Sequence, residues 1–289
     1  MSDDWLLDKR QLRHSFEKAA AGYDAVAVLQ HEVSRRMLAR LDYIKHEPAA
    51  ILDAGSGTGN ALAALQARHP QAALLALDIA LAMVRRARGR LPWWRRLLGR
   101  GVLPVCGDLE YLPLREESVG MVWSSLTLQW TNEPLRAFTE FKRVLAPGGL
   151  LMFSTFGPDT LKELSAAYRG TDRYTHVNRF IDMHDLGDML VHAGFADPVM
   201  DMEYMTLTYP DVRALMHDLK AIGARNVTRG RRQGMTARAT LEAVTRNYEP
   251  LRRGGRLPAT FEVVYGHAWK PLPRSTADGR PVIPIMPRP

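Results

Sequence analysis

An acid followed by three glycines at every second position is the clearest chemical signal in this sequence. Asp53, Gly55, Gly57 and Gly59 come directly after the apolar run 49–52. Glycine lets a backbone turn tightly and approach a ligand closely, so a buried strand, this turn and a helix over about 60–68 predict a nucleotide site. The spacing is G-x-G-x-G, unlike the G-x-G-x-x-G of dinucleotide folds, and no Lys-Ser or Lys-Thr follows as in a phosphate-binding loop. The pattern therefore argues against NAD and ATP.

Two further acids follow apolar runs in the same way. Asp78 closes the run 72–77, and Asp108 follows the run 103–106. An acid at the end of a strand can accept hydrogen bonds from both ribose hydroxyls, which is the role predicted for Asp78. Asp108 is placed to accept from an adenine amino group. The arrangement resembles the S-adenosylmethionine site of class I methyltransferases, although the glycine turn alone could be an ordinary strand-to-helix turn.

Strand and helix patterns alternate around these residues. Strand patterns at 49–52, 72–77, 103–106, 121–125 and 150–155 alternate with helices, which is typical of an α/β fold with a doubly wound, mostly parallel sheet. Asn132 is expected to cap a helix that has Pro134 in its first turn and runs to Leu145, where 147–149 breaks it. Strand patterns at 199–209 and 261–269 frame an insertion. They predict an antiparallel pair at the edge of a seven-stranded sheet and a helical lid over 211–257.

The chain divides by pattern into four segments. We expect an N-terminal helical cap at 1–45, a cofactor-binding core at 46–157, a substrate half at 158–269 and a proline-rich, poorly ordered tail at 270–289. The cap shows a helical pattern from 8 to 42 that Gly22 interrupts. Tyr23, next to that interruption, could fold over a cofactor or only pack the helix onto the sheet. Trp93 and Trp94, among arginines, are read as a local hydrophobic anchor.

Composition limits the class of protein and its partners. The 289 residues are 46% hydrophobic and 24% charged, with one cysteine, no apolar run long enough for a membrane span and no secretion signal. We expect a cytoplasmic protein without a metal site or a membrane partner. The net charge of +8 favours an acidic partner, either nucleic acid, a phosphorylated carrier or an acidic protein, or else is only a solvated basic surface.

With these segments in hand, the chain from about 9 to 269 resembles the malonyl-acyl-carrier-protein O-methyltransferases of biotin synthesis, within the class I methyltransferases. Several of the motifs that carry the resemblance lie outside the generic cofactor core. They are 16–23 with Gln30, the glycine turn, 107–113, 126–130, 176–180 and 219–224. The family methylates the free carboxylate of a malonyl thioester. Two departures are Ser56, where the family usually has Cys, and Asn60, where it has a bulkier residue.

The resemblance implies roles for individual residues. It makes S-adenosylmethionine the cofactor and an acyl carrier protein carrying malonyl-phosphopantetheine, or malonyl-coenzyme A, the acceptor. It implies that Tyr23 covers the cofactor and that Arg179 and Phe180 belong to the substrate pocket, with these three as the catalytic set. The expected cofactor-binding residues are Asp53, Gly55, Gly57, Gly59, Asp78, Ile79, Asp108, Leu109, Ser124 and Tyr23.

The proposed chemistry needs no general base, because a carboxylate is already ionised at neutral pH. An arginine could clamp one carboxylate oxygen and leave the other free to attack, and Arg179 is the candidate. The basic stretch 223–232 is expected to dock the carrier. Three alternatives stay open: an enzyme for another small acid, a cofactor-binding assembly factor that transfers no methyl, and a nucleic-acid methyltransferase. The last lacks an Asn/Asp-Pro-Pro-Tyr/Phe motif, so we expect no nucleic-acid partner.

Overall fold

A seven-stranded sheet forms the centre of the computed structural model, which describes residues 3–92, 101–232, 234 and 237–273. The strands are β1 Ala50–Ala54, β2 Ala73–Asp78, β3 Leu103–Cys106, β4 Val119–Ser125, β5 Leu145–Phe156, β6 Ala196–Tyr209 and β7 Leu257–Trp269. Their order in the sheet is β3-β2-β1-β4-β5-β7-β6. Neighbouring strands are parallel from β3 to β5, and β7 is antiparallel to both β5 and β6. The predicted fold class and the antiparallel edge pair are confirmed.

Helices cover both faces of the sheet, and alternation along each strand supplies the apolar side chains for both. The helices among the described residues are α1 Lys9–Ala19, α2 Tyr23–Val26, α3 Val28–Arg40, α4 Leu62–Arg68, α5 Leu81–Ala87, α6 Pro134–Val144, α7 Lys162–Tyr168, α8 Met183–His192, α9 Val212–Ala221 and α10 Arg238–Tyr248. In β1, Ile51 packs into the cluster under α3, α4, α7, α9 and α10, while Leu52 packs into the cluster under α6 and α8.

The start of α6 differs from the prediction. Glu133 is the residue before the helix, and no side chain caps it. Asn132 instead accepts from the backbone N–H of Leu7 at 2.7 Å and donates to the Leu7 carbonyl at 3.2 Å. The N–H of Glu133 donates to the Glu110 carboxylate at 2.8 Å. The prediction that Asn132 caps the helix is therefore wrong, because its side chain binds the backbone of Leu7 instead.

The end of α6 is also followed by an unexpected feature. The helix ends at Val144, and β5 begins at once at Leu145, so the Pro-Gly-Gly stretch lies inside the strand. Gly148 has a φ of +75°, and the register between β4 and β5 shifts beside it, between Val119 and Met121. The Pro-Gly-Gly stretch therefore makes the pairing of β4 and β5 irregular, and the strand begins before this stretch, not after it.

The N-terminal residues 4–8 form a strap that runs beside residues 227–230. The N–H of Asp8 donates to Val227 at 2.9 Å, and the N–H of Arg229 donates to Leu6 at 2.8 Å. The strap leads into α1, which contacts α5 beside the sheet. The strap and α1 thus connect residues 227–230 with α5.

Some predicted features lie outside the described residues. The Trp93-Trp94 segment is one of them, and the tail from 274 onward is another. Within the ranges that the structure covers, no helix is both long enough and apolar enough to cross a bilayer.

Candidate functional site

The glycine turn after β1 is built as the sequence predicts. Gly55, Gly57 and Gly59 have φ values of +81°, +51° and +83°, which are in the left-handed region that favours glycine. A Cβ on Gly55 would lie 2.1 Å from Cγ2 of Thr127, so the turn also needs a residue without a side chain there. The N–H of Gly55 donates to the Leu77 carbonyl at 2.8 Å, which ties the turn to β2.

A cavity of about 940 Å³ opens where β1, β2, β3 and β4 end. We call it the first cavity. Its place at the carboxyl ends of parallel strands is where α/β sheets bind ligands. Most of the predicted cofactor residues line it, namely Tyr23, Asp53, Gly55, Gly57, Asp78, Ile79, Asp108 and Leu109.

Two predicted cofactor residues do not line the first cavity. Ser124 is fully buried and its hydroxyl donates to the Ala54 carbonyl at 2.9 Å. Its neighbours Trp123 and Ser125 line the cavity instead, because successive side chains of a strand point to opposite faces. A Cβ on Gly59 would lie 2.9 Å from the Cα of Ala87, so Gly59 lets α4 and α5 approach. We correct both assignments to structural roles.

Asp78 connects the end of β2 to the glycine turn. Its Oδ2 accepts from the N–H of Gly57 at 3.0 Å, and its Oδ1 accepts from the N–H of Ala80 at 2.8 Å. A carboxylate oxygen can accept two hydrogen bonds, so each oxygen keeps capacity for a ligand hydroxyl. The geometry suits the ribose role predicted from the sequence.

Burial raises the pKa of two acids in the first cavity. The Asp53 pKa rises to about 8, because its carboxyl is desolvated and the Asp78 charge repels a second negative charge. Desolvation also raises the Asp78 pKa to about 6, against the hydrogen bonds from Ala80 and Gly57 that lower it. At neutral pH the cavity therefore holds one ionised acid and one mostly protonated acid, an environment that favours a cationic ligand.

Asp108 has a partner that the sequence did not reveal. Its Oδ1 lies 3.0 Å from the Lys9 ammonium, which also lies 3.3 Å from Glu110. Lys9 begins α1 and lines the first cavity. The N-terminal helix is thereby fixed at the cavity rim, next to the acid predicted to accept from adenine.

Tyr23 is positioned by its neighbour in sequence. Asp24 accepts from the Thr58 hydroxyl of the glycine turn and pairs with Arg90, whose Nε donates to the Thr58 carbonyl at 2.7 Å. These contacts hold α2 over the turn. The Tyr23 ring would lie 4.0 Å from a Cβ on Gly57, and burial raises the pKa of its phenol, which stays protonated.

A second cavity of about 690 Å³ adjoins the first. Phe180 lines it, packed edge-on against Phe156 with ring centroids 5.7 Å apart. The two cavities share a set of lining residues that we call the neck. They are Phe16, Tyr23, Gln30, Leu126 and Trp130.

Arg179 does not reach this pocket. Val177, Asn178 and Phe180 line the second cavity, whereas Arg179 is exposed and lines neither cavity. Arg179 lies in the irregular stretch before α8, and its side chain points outward, unlike those of Asn178 and Phe180. We therefore correct the predicted carboxylate clamp at Arg179.

Sequence reasoning also missed polar groups that face the first cavity. The hydroxyls of Ser34 and Ser56 and the indole N–H of Trp123 are buried, line the cavity and have no hydrogen-bond partner within the described residues. Buried polar groups are normally paired, so such groups around one cavity indicate a polar ligand. Ser56 belongs to the recognised turn, but Ser34 lies on α3 and only the tertiary fold brings it here.

The two acids should make stability depend on pH. Native Asp53 holds its proton to about pH 8, whereas an unfolded aspartate loses it near pH 3.9. The native state therefore binds more protons between these values, and the free energy of unfolding should fall as pH rises through that window. Thermal unfolding without ligand should show this fall, and Asp53→Asn should flatten it. An identical slope in Asp53→Asn would assign the pH dependence to other groups.

Several known proteins resemble this chain. Residues 52–153 match the family model described as a methyltransferase domain. The malonyl-acyl-carrier-protein O-methyltransferase of Gallionella capsiferriformans is 56% identical, covering 97% of each chain. That of Nitrosospira multiformis is also 56% identical, covering 94% of this chain and 92% of its own.

Solved structures share the fold at low identity. A putative methyltransferase of Haloferax volcanii, in complex with the activator Trm112, has a TM-score of 0.57 at 19% identity. The match covers 90% of this chain and 97% of that one. A putative methyltransferase of Bacillus halodurans has a TM-score of 0.56 at 20% identity, covering 81% and 98%. These likenesses show the class I methyltransferase fold.

Proposed function

The chain belongs to the malonyl-acyl-carrier-protein O-methyltransferase family, and we propose that its two cavities bring an S-adenosylmethionine cofactor and a malonyl carboxylate together at the neck. The protein is an S-adenosylmethionine-dependent carboxyl O-methyltransferase that esterifies the free carboxylate of malonyl-acyl-carrier protein. The product enters biotin synthesis. The observation that carries the site is that a nucleotide cavity and an apolar acceptor cavity share five lining residues. We propose the cytoplasm as the place of action.

The residues around the first cavity fit S-adenosylmethionine. The glycine turn leaves backbone room, Asp78 offers acceptors for ribose hydroxyls, and the orphaned Ser34 and Ser56 hydroxyls suit a polar amino-acid end. Asp53 and Asp78 favour the cationic charge that this cofactor carries. When bound, S-adenosylmethionine supplies a methyl group whose bond to sulfur breaks as the carboxylate oxygen forms the ester bond, the electron pair staying on sulfur.

We assign roles to the cofactor residues on this geometry. Asp78 holds the ribose and Asp108 the adenine amino group, while Ile79 and Leu109 pack against the base. Gly55 and Gly57 let the backbone approach, and Asp53 faces the charged end. Tyr23 closes the cavity over the glycine turn.

The residues of the acceptor side exclude water and align the carboxylate. Phe156, Phe180 and Phe261 make the second cavity apolar, and α9 covers it with Leu219. No proton needs to be removed, since a malonyl carboxylate is ionised at neutral pH. Alignment of the reacting atoms can account for ~7–11 kcal/mol of a barrier. The protein should methylate malonyl-acyl-carrier protein and leave acetyl-acyl-carrier protein unchanged, because an acetyl group has no carboxylate.

An assembly factor that binds the cofactor without transferring methyl is the second candidate. The apolar second cavity argues against it, because a protein that only binds the cofactor needs no second cavity that shares lining residues with the first. An enzyme that methylates another small acid would need the same shared lining residues, so only a comparison of acceptors separates it from the proposed function. Methyl transfer to malonyl, succinyl and glutaryl thioesters, measured side by side, distinguishes these acceptors.

The basic segment 223–232 supports docking of an acidic carrier protein. Arg225 and Arg229 are exposed, and Arg225 lines the second cavity. The N-terminal strap holds the segment in place through Asp8 and Arg229. Arg231 instead donates to the Thr228 carbonyl at 2.7 Å, so it helps to shape the segment. We propose that this segment binds the carrier at the mouth of the second cavity.

Reversing the two exposed charges tests this docking. In Arg225→Glu/Arg229→Glu, we expect the KM for malonyl-acyl-carrier protein to rise about tenfold, since exposed pairs contribute ~0.2–1 kcal/mol each and reversal adds repulsion. The rise should shrink at high salt, which screens exposed charges. The KM for malonyl-coenzyme A, if it is used, should change much less. An equal rise for both acceptors would limit the segment to phosphate binding.

A further inference from the structure

The neck is the place where donor and acceptor must meet, because it is the part of the wall that both cavities share. Its five residues are Phe16, Tyr23, Gln30, Leu126 and Trp130. Three of them carry hydrogen-bond donors: the Tyr23 hydroxyl, the Gln30 amide and the Trp130 indole. None of the three is charged in this setting. An acceptor carboxylate at the neck therefore meets neutral donors.

Most other polar side chains of the second cavity are already committed to protein partners. Gln129 donates to the Leu126 carbonyl at 2.7 Å and accepts from Thr155 at 3.2 Å. Thr160 donates to the carbonyl of Glu262 at 3.2 Å and accepts from its N–H at 3.1 Å. These side chains shape the cavity wall and have little capacity for an acceptor group.

Asn226 is committed in the same way. Its Nδ2 donates to the Thr175 carbonyl at 2.5 Å, and its Oδ1 accepts from the N–H of Thr228 at 3.0 Å. Besides the Tyr23 hydroxyl and the Trp130 indole of the neck, the polar side chains that remain are Gln30, Asn178 and Arg225. Arg225 is exposed, and Asn178 lines only the second cavity, so Gln30 is the one that also faces the first.

The helix α3 fixes the place of Gln30. Its neighbour Leu29 and the residue one turn later, Val33, are buried in the core under the sheet. Gln30 is half-buried beside them, and within the described residues its amide has no hydrogen-bond partner. Trp130 ends the short helix Leu128–Trp130 and packs edge-on against Phe16, with ring centroids 5.4 Å apart.

We propose that the Gln30 amide and the Trp130 indole N–H donate the hydrogen bonds that orient the acceptor carboxylate at the neck. The inference rests on the proposed function and replaces Arg179 as the group that meets this carboxylate. A carboxylate in an apolar neck must be hydrogen-bonded, because burying an unpaired charge is costly. Neutral donors satisfy it while leaving its negative charge, so the oxygen stays nucleophilic and is attracted to a cationic methyl donor.

Binding measurements test the proposal without any turnover. The affinities of malonyl- and acetyl-acyl-carrier protein, measured by calorimetry, give a preference that reports contacts to the carboxylate alone. Gln30→Ala and Trp130→Phe should each reduce this preference about tenfold or more, because hydrogen bonds to charged groups are the stronger ones. The affinity for S-adenosylhomocysteine should stay within about threefold of wild type. A preference equal to that of wild type in both variants would overturn the proposal.

A sharper test measures the kcat/KM of Gln30→Glu, which keeps the size of the side chain and introduces a negative charge. Gln30→Glu should lose more kcat/KM than Gln30→Ala at about pH 8, because the introduced carboxylate repels the acceptor. Relative to wild type at each pH, it should recover as pH falls towards the range where a carboxyl is protonated and can donate. A merely structural role of Gln30 would not produce this pH dependence, so a constant ratio to wild type would also overturn the proposal.

Two controls separate this proposal from its alternatives. Gln11→Glu makes the same change at an exposed position on α1 that lines neither cavity, and it should leave the preference unchanged. Arg179→Ala should also keep the preference for malonyl. If Arg179→Ala loses it while the Gln30 variants keep it, the carboxylate clamp belongs to Arg179. Failure of wild type to methylate malonyl-acyl-carrier protein would count against the proposed function, whereas the binding preference stays measurable.

Discussion

Asp78→Ala should weaken the binding of S-adenosylmethionine by about 5- to 150-fold, which corresponds to the ~1–3 kcal/mol lost with such hydrogen bonds. The carboxylate lies at the end of β2 and lines the first cavity, where each of its oxygens keeps capacity for one ligand hydroxyl. Removing it takes away the acceptors for the ribose and also the negative charge that favours a cationic ligand. Calorimetry with S-adenosylmethionine and S-adenosylhomocysteine measures both affinities.

Asp78→Asn is the matched control for this prediction. It keeps one acceptor oxygen for the N–H of Gly57 or Ala80 but removes the charge, so its affinity should lie between those of wild type and Asp78→Ala. Folding should suffer less than binding, since desolvation raises the pKa of this acid above that of an unfolded aspartate, so at neutral pH its ionised form does not stabilise the native state. Unchanged cofactor affinity in Asp78→Ala, with a lower melting temperature, would make the acid structural and contradict the assignment.

Gly55→Ala is expected to have the largest effect on the fold of the site. A Cβ at this position would lie 2.1 to 2.5 Å from three atoms of Thr127, and the backbone has a φ of +81°. A non-glycine residue is strained there, so Thr127 and the turn must move. We expect ~2–4 kcal/mol of destabilisation, within the range of strained and overpacked substitutions, and loss of measurable cofactor binding.

Gly57→Ala provides the comparison, because it adds the same methyl group at a position in the same turn where there is more space. Gly57 also has a positive φ, +51°, but a Cβ there would meet only Tyr23, at 4.0 Å. It should destabilise the protein less than Gly55→Ala, by the backbone strain alone. Chemical denaturation measures the free energies of unfolding of both variants. Equal losses in the two would mean that the contact with Thr127 relaxes at no cost.

The cofactor half could be predicted from the sequence because its signals are local. Each strand is a short apolar run, each predicted acid follows its strand directly, and the glycines mark the turn. The order of the strands follows once alternating strands and helices are recognised as a doubly wound sheet. Local patterns of this kind place Asp53, Asp78 and Asp108 at one edge of the sheet without knowledge of any long-range contact.

The acceptor half could not be predicted to the same depth, because it depends on long-range contacts and on the direction of single side chains. The strap holds 227–230 beside residues 4–8, a pairing that no local pattern indicates. Lys9 reaches Asp108 across the fold in the same way. Ser124 faces away from the cavities because successive side chains of a strand point to opposite faces, and Arg179 lies in an irregular stretch whose side-chain directions follow no sequence period.

The most direct test of the central claim is methyl transfer by the purified full chain. Malonyl-acyl-carrier protein, S-adenosylmethionine and the protein are incubated together, and the carrier is then examined by intact-mass spectrometry. Acetyl-acyl-carrier protein serves as the control acceptor, and the Asp78→Ala variant as the control enzyme. One added methyl group on the malonyl carrier, removed by ester hydrolysis and absent from the acetyl carrier, is the predicted result. An unchanged mass of the malonyl carrier, with bound cofactor demonstrated by calorimetry, would contradict the account.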